Sequence, residues 1–173
     1  MDKIKQHSCL KVITLLLLFT IGVGQANAAN VAEMDAAMGE EVVNDALKYE
    51  GVSYKWGGTN PQSGFDCSGF VTYVFGLIGC VMPHSSRKLF NKEKEVKDFK
   101  QLREGDLVFF SGSRVSRQIG HVGIVVYADP ETGDFTFVHA AYSGVQVSSS
   151  TDAYYSKRLL CACHPSYTSS DLC

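Results

Sequence analysis

The chain has 173 residues, 45% of them hydrophobic and 20% charged, which is the composition of an ordinary globular protein with room for one compact domain. Its net charge of −2 at pH 7 excludes the strongly basic surface of a nucleic-acid-binding protein. A domain of this size buries roughly 70% of the surface of its unfolded chain, so its stability requires neither a metal ion nor a disulfide.

Residues 1–28 are predicted to be a signal peptide. Three lysines precede an apolar, leucine-rich run over residues 12–23. The chain then reaches Ala26-Asn27-Ala28, which fits a small-residue cleavage site. The apolar run is too short for a membrane anchor, because a spanning helix needs about 20 residues. We therefore expect cleavage after Ala28 and export to the periplasm, the cell wall or the extracellular space.

Cleavage would leave 13 of the 16 basic and 17 of the 18 acidic residues, and no basic amphipathic segment that would hold the mature protein in a membrane. Five of the six cysteines would remain, so at least one thiol is free or pairs between chains. A zinc site at Cys161, Cys163 and His164 is disfavoured, since a second ligand pair at finger-like spacing is missing. Neither the disulfide pairing nor the oligomeric state can be read from the sequence.

The mature chain is predicted to start with a small, polar and flexible segment over residues 29–39. Apolar residues then recur at helical spacing from Glu40 to Tyr49, and this helix opens a single domain over residues 40–173. No internal repeat or low-complexity block divides that domain.

A second helix is predicted to begin at Cys67 or Ser68, with Asp66 as its N-cap. Its apolar residues cover nearly all of the helix surface, which predicts that it is buried. A shorter and more polar helix is predicted over Ser86–Lys94.

The second half of the domain is predicted to be a β-sheet. Five short segments rich in Val and Phe are separated by turn residues and are predicted to be antiparallel strands: Leu107–Phe110, His121–Tyr127, Phe135–Ala140, Gly144–Ser148 and Arg158–Ala162. Helices followed by strands indicate an α+β domain.

Cys67 stands at the head of the predicted buried helix, within Gly64-Phe65-Asp66-Cys67-Ser68-Gly69-Phe70. Free N–H groups and the positive end of the helix dipole stabilise a thiolate, and such sites lower a thiol pKa from about 8.5 to roughly 3.5–7.5. The alternative is a structural cysteine, because most free cysteines are simply buried. A base close to the thiol would favour catalysis.

His121 is the candidate base, because it opens a predicted strand and a hairpin loop leads back to His139. A loop centred on Pro130 places the two histidines directly opposite each other, and a loop centred on Glu131 shifts the pairing by two residues and keeps both on one face. Opposed Cβ atoms lie about 4.5–5.5 Å apart and diagonal ones about 7–8 Å, so either register lets the rings meet unless a bulge changes the parity. A nucleophile, its base and a group that orients the base form a catalytic triad.

Five motifs occur in order along the chain: Tyr54-Lys55-Trp56-Gly57-Gly58, Asp66-Cys67-Ser68-Gly69-Phe70, Arg103-Glu104-Gly105-Asp106-Leu107-Val108-Phe109-Phe110, Gly120-His121-Val122-Gly123-Ile124 and Phe137-Val138-His139-Ala140. Together they resemble the NlpC/p-sixty family of papain-like cell-wall cysteine peptidases, from about Glu41 to His164. The resemblance implies N-terminal helices that carry the nucleophile, packed on an antiparallel sheet. It also implies Cys67 as nucleophile, His121 as base and His139 as third member, without a metal or organic cofactor.

The resemblance assigns further positions around the nucleophile. Tyr54 matches the tyrosine whose hydroxyl helps to hold the oxyanion in this family, together with the backbone N–H of the cysteine. Asp66 and Ser68 match positions that line the peptide-binding cleft. Trp56 is interpreted as a packing residue. His84, where relatives often carry arginine, is given no role.

The activity implied by the resemblance is hydrolysis of an amide bond in the stem peptide of peptidoglycan, of the D-γ-glutamyl-diaminopimelate type, through an acyl-enzyme. Two alternatives stay open. The same nucleophile serves N-acetylmuramoyl-L-alanine amidases, and a domain with a silent site would only bind the wall. The stem composition and the physiological role are not specified by the sequence.

Overall fold

The computed structural model describes residues 29–165 and Tyr167, so the predicted signal peptide and Cys173 lie outside the described residues. Residues 29–47 form helix α1, and a compact unit begins within it at Ala36. The segment 29–39, predicted to be flexible, is therefore helical. It is rich in Ala and Met, whose high helix propensity accounts for the helix. The cleavage site and the domain boundary at residue 40 remain predictions.

Helix α2 spans Cys67–Leu77 and starts where the sequence predicted. The side chain of Asp66 caps it by accepting a hydrogen bond of 2.7 Å from the N–H of Gly69. The helix is followed by Gly79, whose φ of 82° provides the left-handed turn that commonly follows a helix. Four large apolar side chains of α2 are fully buried: Phe70, Val71, Val74 and Phe75.

The third predicted helix is shorter in the structure than expected. Helix α3 covers only Ser86–Leu89, and a separate 3₁₀ turn follows at Lys92–Lys94. Between them Phe90 has an extended backbone, and the side chain of Asn91 accepts a hydrogen bond from the N–H of Glu93. Asn competes with helix continuation by capping in this way, which explains the interruption.

All five predicted strands are present: β3 Leu107–Ser111, β4 Ile119–Ala128, β5 Phe135–Ala141, β6 Gly144–Ser149 and β7 Leu159–Cys163. They form one antiparallel sheet in the order β6-β5-β4-β3-β7. A small ladder of β1 (Thr59–Asn60) and β2 (Gly64–Phe65) precedes α2. A second 3₁₀ turn lies at Phe99–Gln101, and the short helix α4 lies at Ala153–Ser156.

The sheet has an apolar cluster on each face. One cluster joins α1 and α2 to side chains that include Leu107, Phe109 and Ile124. The other contains Phe110 and Phe137, which pack near Tyr155 of α4. Because both faces of β3 are covered, all five of its residues are buried. The sheet therefore lies between helices α1 and α2 on one face and helix α4 on the other. Side chains pack against both faces of its β4–β5 hairpin.

Candidate active site

A cleft of about 750 Å³ lies at the head of α2. Five of the six predicted site residues line it: Tyr54, Asp66, Cys67, Ser68 and His121. The sixth, His139, is fully buried behind His121. The fold therefore gathers in one place residues from the α2 N-terminus, the loop before it and the β4–β5 hairpin.

Cys67 is partly buried and lies next to the strand that carries His121. The backbone N–H groups of Val122, Ser68 and Cys67 itself favour the thiolate, as the helix position predicts. Burial, followed by the negative charge of Asp66, has the larger effect and raises the pKa of Cys67 to about 11. The expectation of a lowered thiol pKa was therefore wrong, because desolvation of a buried charge outweighs the helix N-terminus here.

The two histidines meet as the hairpin argument predicted. Nε2 of His121 lies 2.9 Å from Nδ1 of His139, and the two rings are nearly perpendicular with centroids 4.9 Å apart. Nδ1 of His121 makes no hydrogen bond to any residue between 29 and 165. Burial lowers the pKa of His121 to about 4, and burial together with the proximity of His121 lowers the pKa of His139 to about 3. Both rings are therefore neutral at neutral pH.

A bulge in β4 places the histidines on one face of the sheet. At the loop end Tyr127 pairs with Thr136, whereas Val125 pairs with Phe137, so Val126 is an extra residue in β4. Without this extra residue, the pairing seen at Tyr127 would continue along β4, and His121 and His139 would point to opposite faces of the sheet, since side chains alternate along a strand. With the bulge, the two strands pair as they would if the hairpin loop were centred on Glu131, and both histidines lie on one face.

Gly123 leaves the space in which His139 lies. A Cβ atom at this position would be 3.3 Å from Cβ of His139 and 2.6 Å from Cδ2 of Phe137. With the register of β4 and β5, Gly123 lies across from His139, so the absence of a side chain on β4 lets the ring reach His121.

The far side of His139 has hydrogen-bonding partners that sequence reasoning missed. Its Nε2 lies 3.0 Å from Oγ of Ser148 on β6 and 3.2 Å from the hydroxyl of Tyr155 on α4. The short turn between β5 and β6 was a usable signal, because it pairs His139 with Gln146 and brings Ser148 to the same face. Tyr155 had no comparable signal, since α4 reaches the sheet only in the tertiary structure.

Tyr54 lines the same cleft as Cys67. Burial, then the proximity of Cys67 and of Tyr142, raises the pKa of Tyr54 to about 12, so its hydroxyl keeps its proton. Within the described part of the chain this hydroxyl has no hydrogen-bond partner, and its ring packs on Tyr142 with centroids 4.8 Å apart. Trp56 lines the same cleft but is 83% exposed, so its interpretation as a packing residue was wrong.

Asp66 is saturated by donors of its own chain. Besides capping Gly69, its carboxylate accepts hydrogen bonds of 3.0 Å from the N–H of Gly57, the hydroxyl of Ser68 and Nε2 of His84. Burial opposes ionisation, but the bonds from Gly69, His84 and Ser68 hold the pKa of Asp66 below its ordinary value. The structure thus gives His84 a contact that the sequence did not predict.

The site can be compared with known proteins. The sequence profile of the NlpC/P60 family matches residues 51–164, which include Tyr54, Cys67, His121 and His139. The chain belongs to the NlpC/P60 family. The α+β, papain-like architecture predicted from the motifs is thereby confirmed, because solved structures of this family share the fold.

Two curated relatives of this NlpC/P60 domain come from Bacillus subtilis. The bifunctional muramidase/DL-endopeptidase CwlT is 38% identical over 121 residues, which cover 70% of this chain and 35% of that protein. A gamma-DL-glutamyl hydrolase is 34% identical over 134 residues, 76% of this chain and 30% of that protein. The chain thus spans about a third of the length of these relatives.

A crystal structure from Staphylococcus aureus, described as similar to a lipoprotein of the NLP/P60 family, superposes on this NlpC/P60 domain with a TM-score of 0.61. The two sequences are 25% identical, and the alignment covers 73% of this chain and 41% of that one.

The remaining thiols of the NlpC/P60 domain lie away from the cleft. Cys80, Cys161 and Cys163 are free, and burial raises the pKa of each. His164, which the zinc hypothesis paired with two of them, instead has its Nδ1 2.7 Å from a carboxylate oxygen of Asp106. Across residues 29–165 and 167, no group of three or more His, Cys, Asp or Glu side chains is arranged to hold a metal ion. Nor does any helix in those residues have the length and apolar character to cross a bilayer.

Proposed function

We propose that this chain is an exported cysteine endopeptidase that hydrolyses amide bonds in the stem peptides of peptidoglycan. Cys67 acts as nucleophile, His121 as its base and His139 as the group that orients the base. The observation that carries the proposal is the 2.9 Å contact between Nε2 of His121 and Nδ1 of His139 beside a cleft that Cys67 also lines.

Before the reaction, the thiol of Cys67 and the imidazole of His121 are both uncharged. Burial disfavours a lone thiolate and a lone imidazolium, as the raised pKa of Cys67 and the lowered pKa of His121 indicate. Transfer of the thiol proton to Nδ1 of His121 creates two opposite charges side by side, whose attraction offsets part of the desolvation cost. We therefore place proton transfer in the step of attack, with the thiol protonated in the resting enzyme.

The thiolate then attacks the carbonyl carbon of the stem amide and the carbonyl oxygen becomes an oxyanion. The hydroxyl of Tyr54 and the backbone N–H of Cys67 supply hydrogen bonds to it, and one such donor contributes about 2.7–4 kcal/mol. Collapse of the intermediate breaks the C–N bond, and His121 gives its proton to the leaving amine. Water then attacks the thioester while His121 takes its proton, and Cys67 leaves as a thiol with the carboxylate product.

The proposed bond is of the D-γ-glutamyl-diaminopimelate type. The names of the two Bacillus subtilis relatives, a DL-endopeptidase and a gamma-DL-glutamyl hydrolase, support a bond between residues of opposite chirality next to glutamate. Action at the wall requires export, which the predicted signal peptide would provide.

Defined muropeptides test the proposal. We expect the wild-type protein to cleave the stem after its glutamate and the Cys67→Ala variant to leave every stem intact, as measured by mass spectrometry of the products. Release of whole stems would instead indicate an amidase. Intact stems with wild-type protein would contradict an enzyme and favour a wall-binding module.

A further inference from the structure

On the side of His139 that faces away from His121 and Cys67, a chain of side chains is linked by hydrogen bonds. We infer that Ser148 and Tyr155, oriented by Gln146, are positioning residues that fix the tautomer of His139 and thereby keep Nδ1 of His121 unprotonated. The inference rests on the proposed function, because it matters for catalysis only if His121 is the base that accepts the proton of Cys67.

The order of donors and acceptors in this chain of hydrogen bonds is set from Ser143 onward. Its hydroxyl donates a hydrogen bond of 2.7 Å to Oε1 of Gln146. The amide nitrogen of Gln146 is therefore directed to the other side, where it donates to Oγ of Ser148 over 3.4 Å. One of the two lone pairs of the Ser148 hydroxyl is thus occupied.

Two hydroxyl oxygens surround Nε2 of His139, at 3.0 Å for Ser148 and 3.2 Å for Tyr155. An unprotonated ring nitrogen has one lone pair and accepts one hydrogen bond, so only one of the two hydroxyls could bond to it. A protonated Nε2 can be shared between both oxygens. Since His139 is fully buried and its neighbour Ser148 nearly so, the arrangement favours N–H at Nε2.

The Ser148 hydroxyl can make every hydrogen bond that protonation of His139 at Nε2 requires. Its oxygen accepts from Gln146 and from Nε2–H of His139, and its own proton is then directed to the oxygen of Tyr155. Burial raises the pKa of Tyr155, while the hydrogen bond from Ser148 opposes that shift. Tyr155 lines the cleft, so its proton has water or substrate as acceptor. Every donor in the chain then has an acceptor.

The tautomer of His139 determines that of His121. A neutral imidazole protonated at Nε2 has a lone pair at Nδ1, so Nδ1 of His139 accepts a hydrogen bond from Nε2–H of His121 across the 2.9 Å contact. Nδ1 of His121 then carries the lone pair that a base requires. In the opposite tautomer His139 would donate to His121, whose Nδ1 would bear a proton and could accept none from Cys67.

Nuclear magnetic resonance of ¹⁵N-histidine-labelled protein tests the inference directly, because protonated and unprotonated ring nitrogens have distinct shifts. In the wild-type protein at pH 7 we expect protons on Nε2 of both rings. In the Ser148→Ala/Tyr155→Phe double variant, Nε2–H of His139 loses both acceptors, and we expect a mixture of tautomers. Ser148→Thr keeps the hydroxyl and should restore the wild-type spectrum. Ser149→Ala is the matched control, because that hydroxyl contacts Thr151.

Steady-state kinetics of muropeptide cleavage provide the second test of the inference. General base catalysis contributes roughly 10²–10⁴-fold, so a partial change of tautomer should lower kcat of the double variant about tenfold or more, with KM changed less than about twofold. If the double variant unfolds, Ser148→Ala and Tyr155→Phe are measured singly. An unchanged nitrogen spectrum in these variants would overturn the inference. If wild-type protein cleaves no stem, the proposed function fails, and the spectra still decide the tautomer.

Discussion

Gly123 lies across the β4–β5 hairpin from His139, and a Cβ atom there would be 3.3 Å from the Cβ of that histidine. The hydrogen bond between the two histidines therefore depends on a glycine in the neighbouring strand. This relationship also explains why a glycine lies two residues after His121, between the apolar residues Val122 and Ile124 of β4.

Gly123→Ala should reduce both stability and activity. The new methyl group would be 2.6 Å from the ring of Phe137, which has to move in a packed interior. Overpacking of this kind costs about 1–3 kcal/mol of unfolding free energy. Urea denaturation and muropeptide cleavage measure the two effects. Gly76→Ala is the control, because a Cβ atom at that helical position has no neighbour within 4 Å, and we expect it to be neutral or stabilising. Equal behaviour of the two variants would contradict the role of Gly123.

Acid should destabilise the protein through the buried histidines. Their pKa values are about 4 and about 3 in the folded state, below the value of about 6.5 expected in the unfolded chain. The unfolded state therefore binds more protons below pH 6.5, and stability is complete above that pH and lost as pH falls toward 4 and below. Each unit of pKa difference corresponds to about 1.4 kcal/mol. Urea midpoints between pH 7 and pH 4 measure this loss, and His139→Asn should show a shallower dependence than wild type.

Removal of the Asp66 charge should make Cys67 react at lower pH. Burial comes first among the causes that raise the pKa of Cys67, and the Asp66 charge comes second. Asn still caps a helix well, so Asp66→Asn keeps the N-cap of α2 while removing the charge. The pH dependence of alkylation by iodoacetamide should shift downward in this variant. Asp98→Asn, which replaces an acidic N-cap in a distant 3₁₀ turn, should leave the profile unchanged.

Tyr54→Phe should lower kcat/KM with little effect on folding. Loss of one oxyanion donor costs about 2.7–4 kcal/mol, which corresponds to a decrease of about 10²–10³-fold. The Tyr54 ring would still pack on Tyr142, so thermal stability should stay close to wild type. Tyr127→Phe, at an exposed tyrosine of β4, provides the control. A Tyr54→Phe enzyme with full activity would exclude the hydroxyl from the oxyanion site.

Much of the fold follows from local sequence signals. The Asp66 cap, the apolar surface of α2 and the short runs of Val and Phe predicted that helix and all five strands, because capping and side-chain periodicity act over a few residues. The small, polar composition of residues 29–39 predicted a flexible segment, whereas the Ala and Met residues there favour the helix that the structure has. The short interruption after Leu89 was also missed, because it depends on a single capping side chain at Asn91.

By itself the sequence determined which residues carry the candidate chemistry: Cys67 at a helix N-terminus and His121 and His139 on adjoining strands. Only the tertiary structure decided how these groups behave. The bulge at Val126 sets the parity of the hairpin, burial outweighs the helix N-terminus in the pKa of Cys67, and Tyr155 reaches His139 from a distant helix. Register, desolvation and long-range contacts depend on the whole packed chain, and no segment encodes them alone.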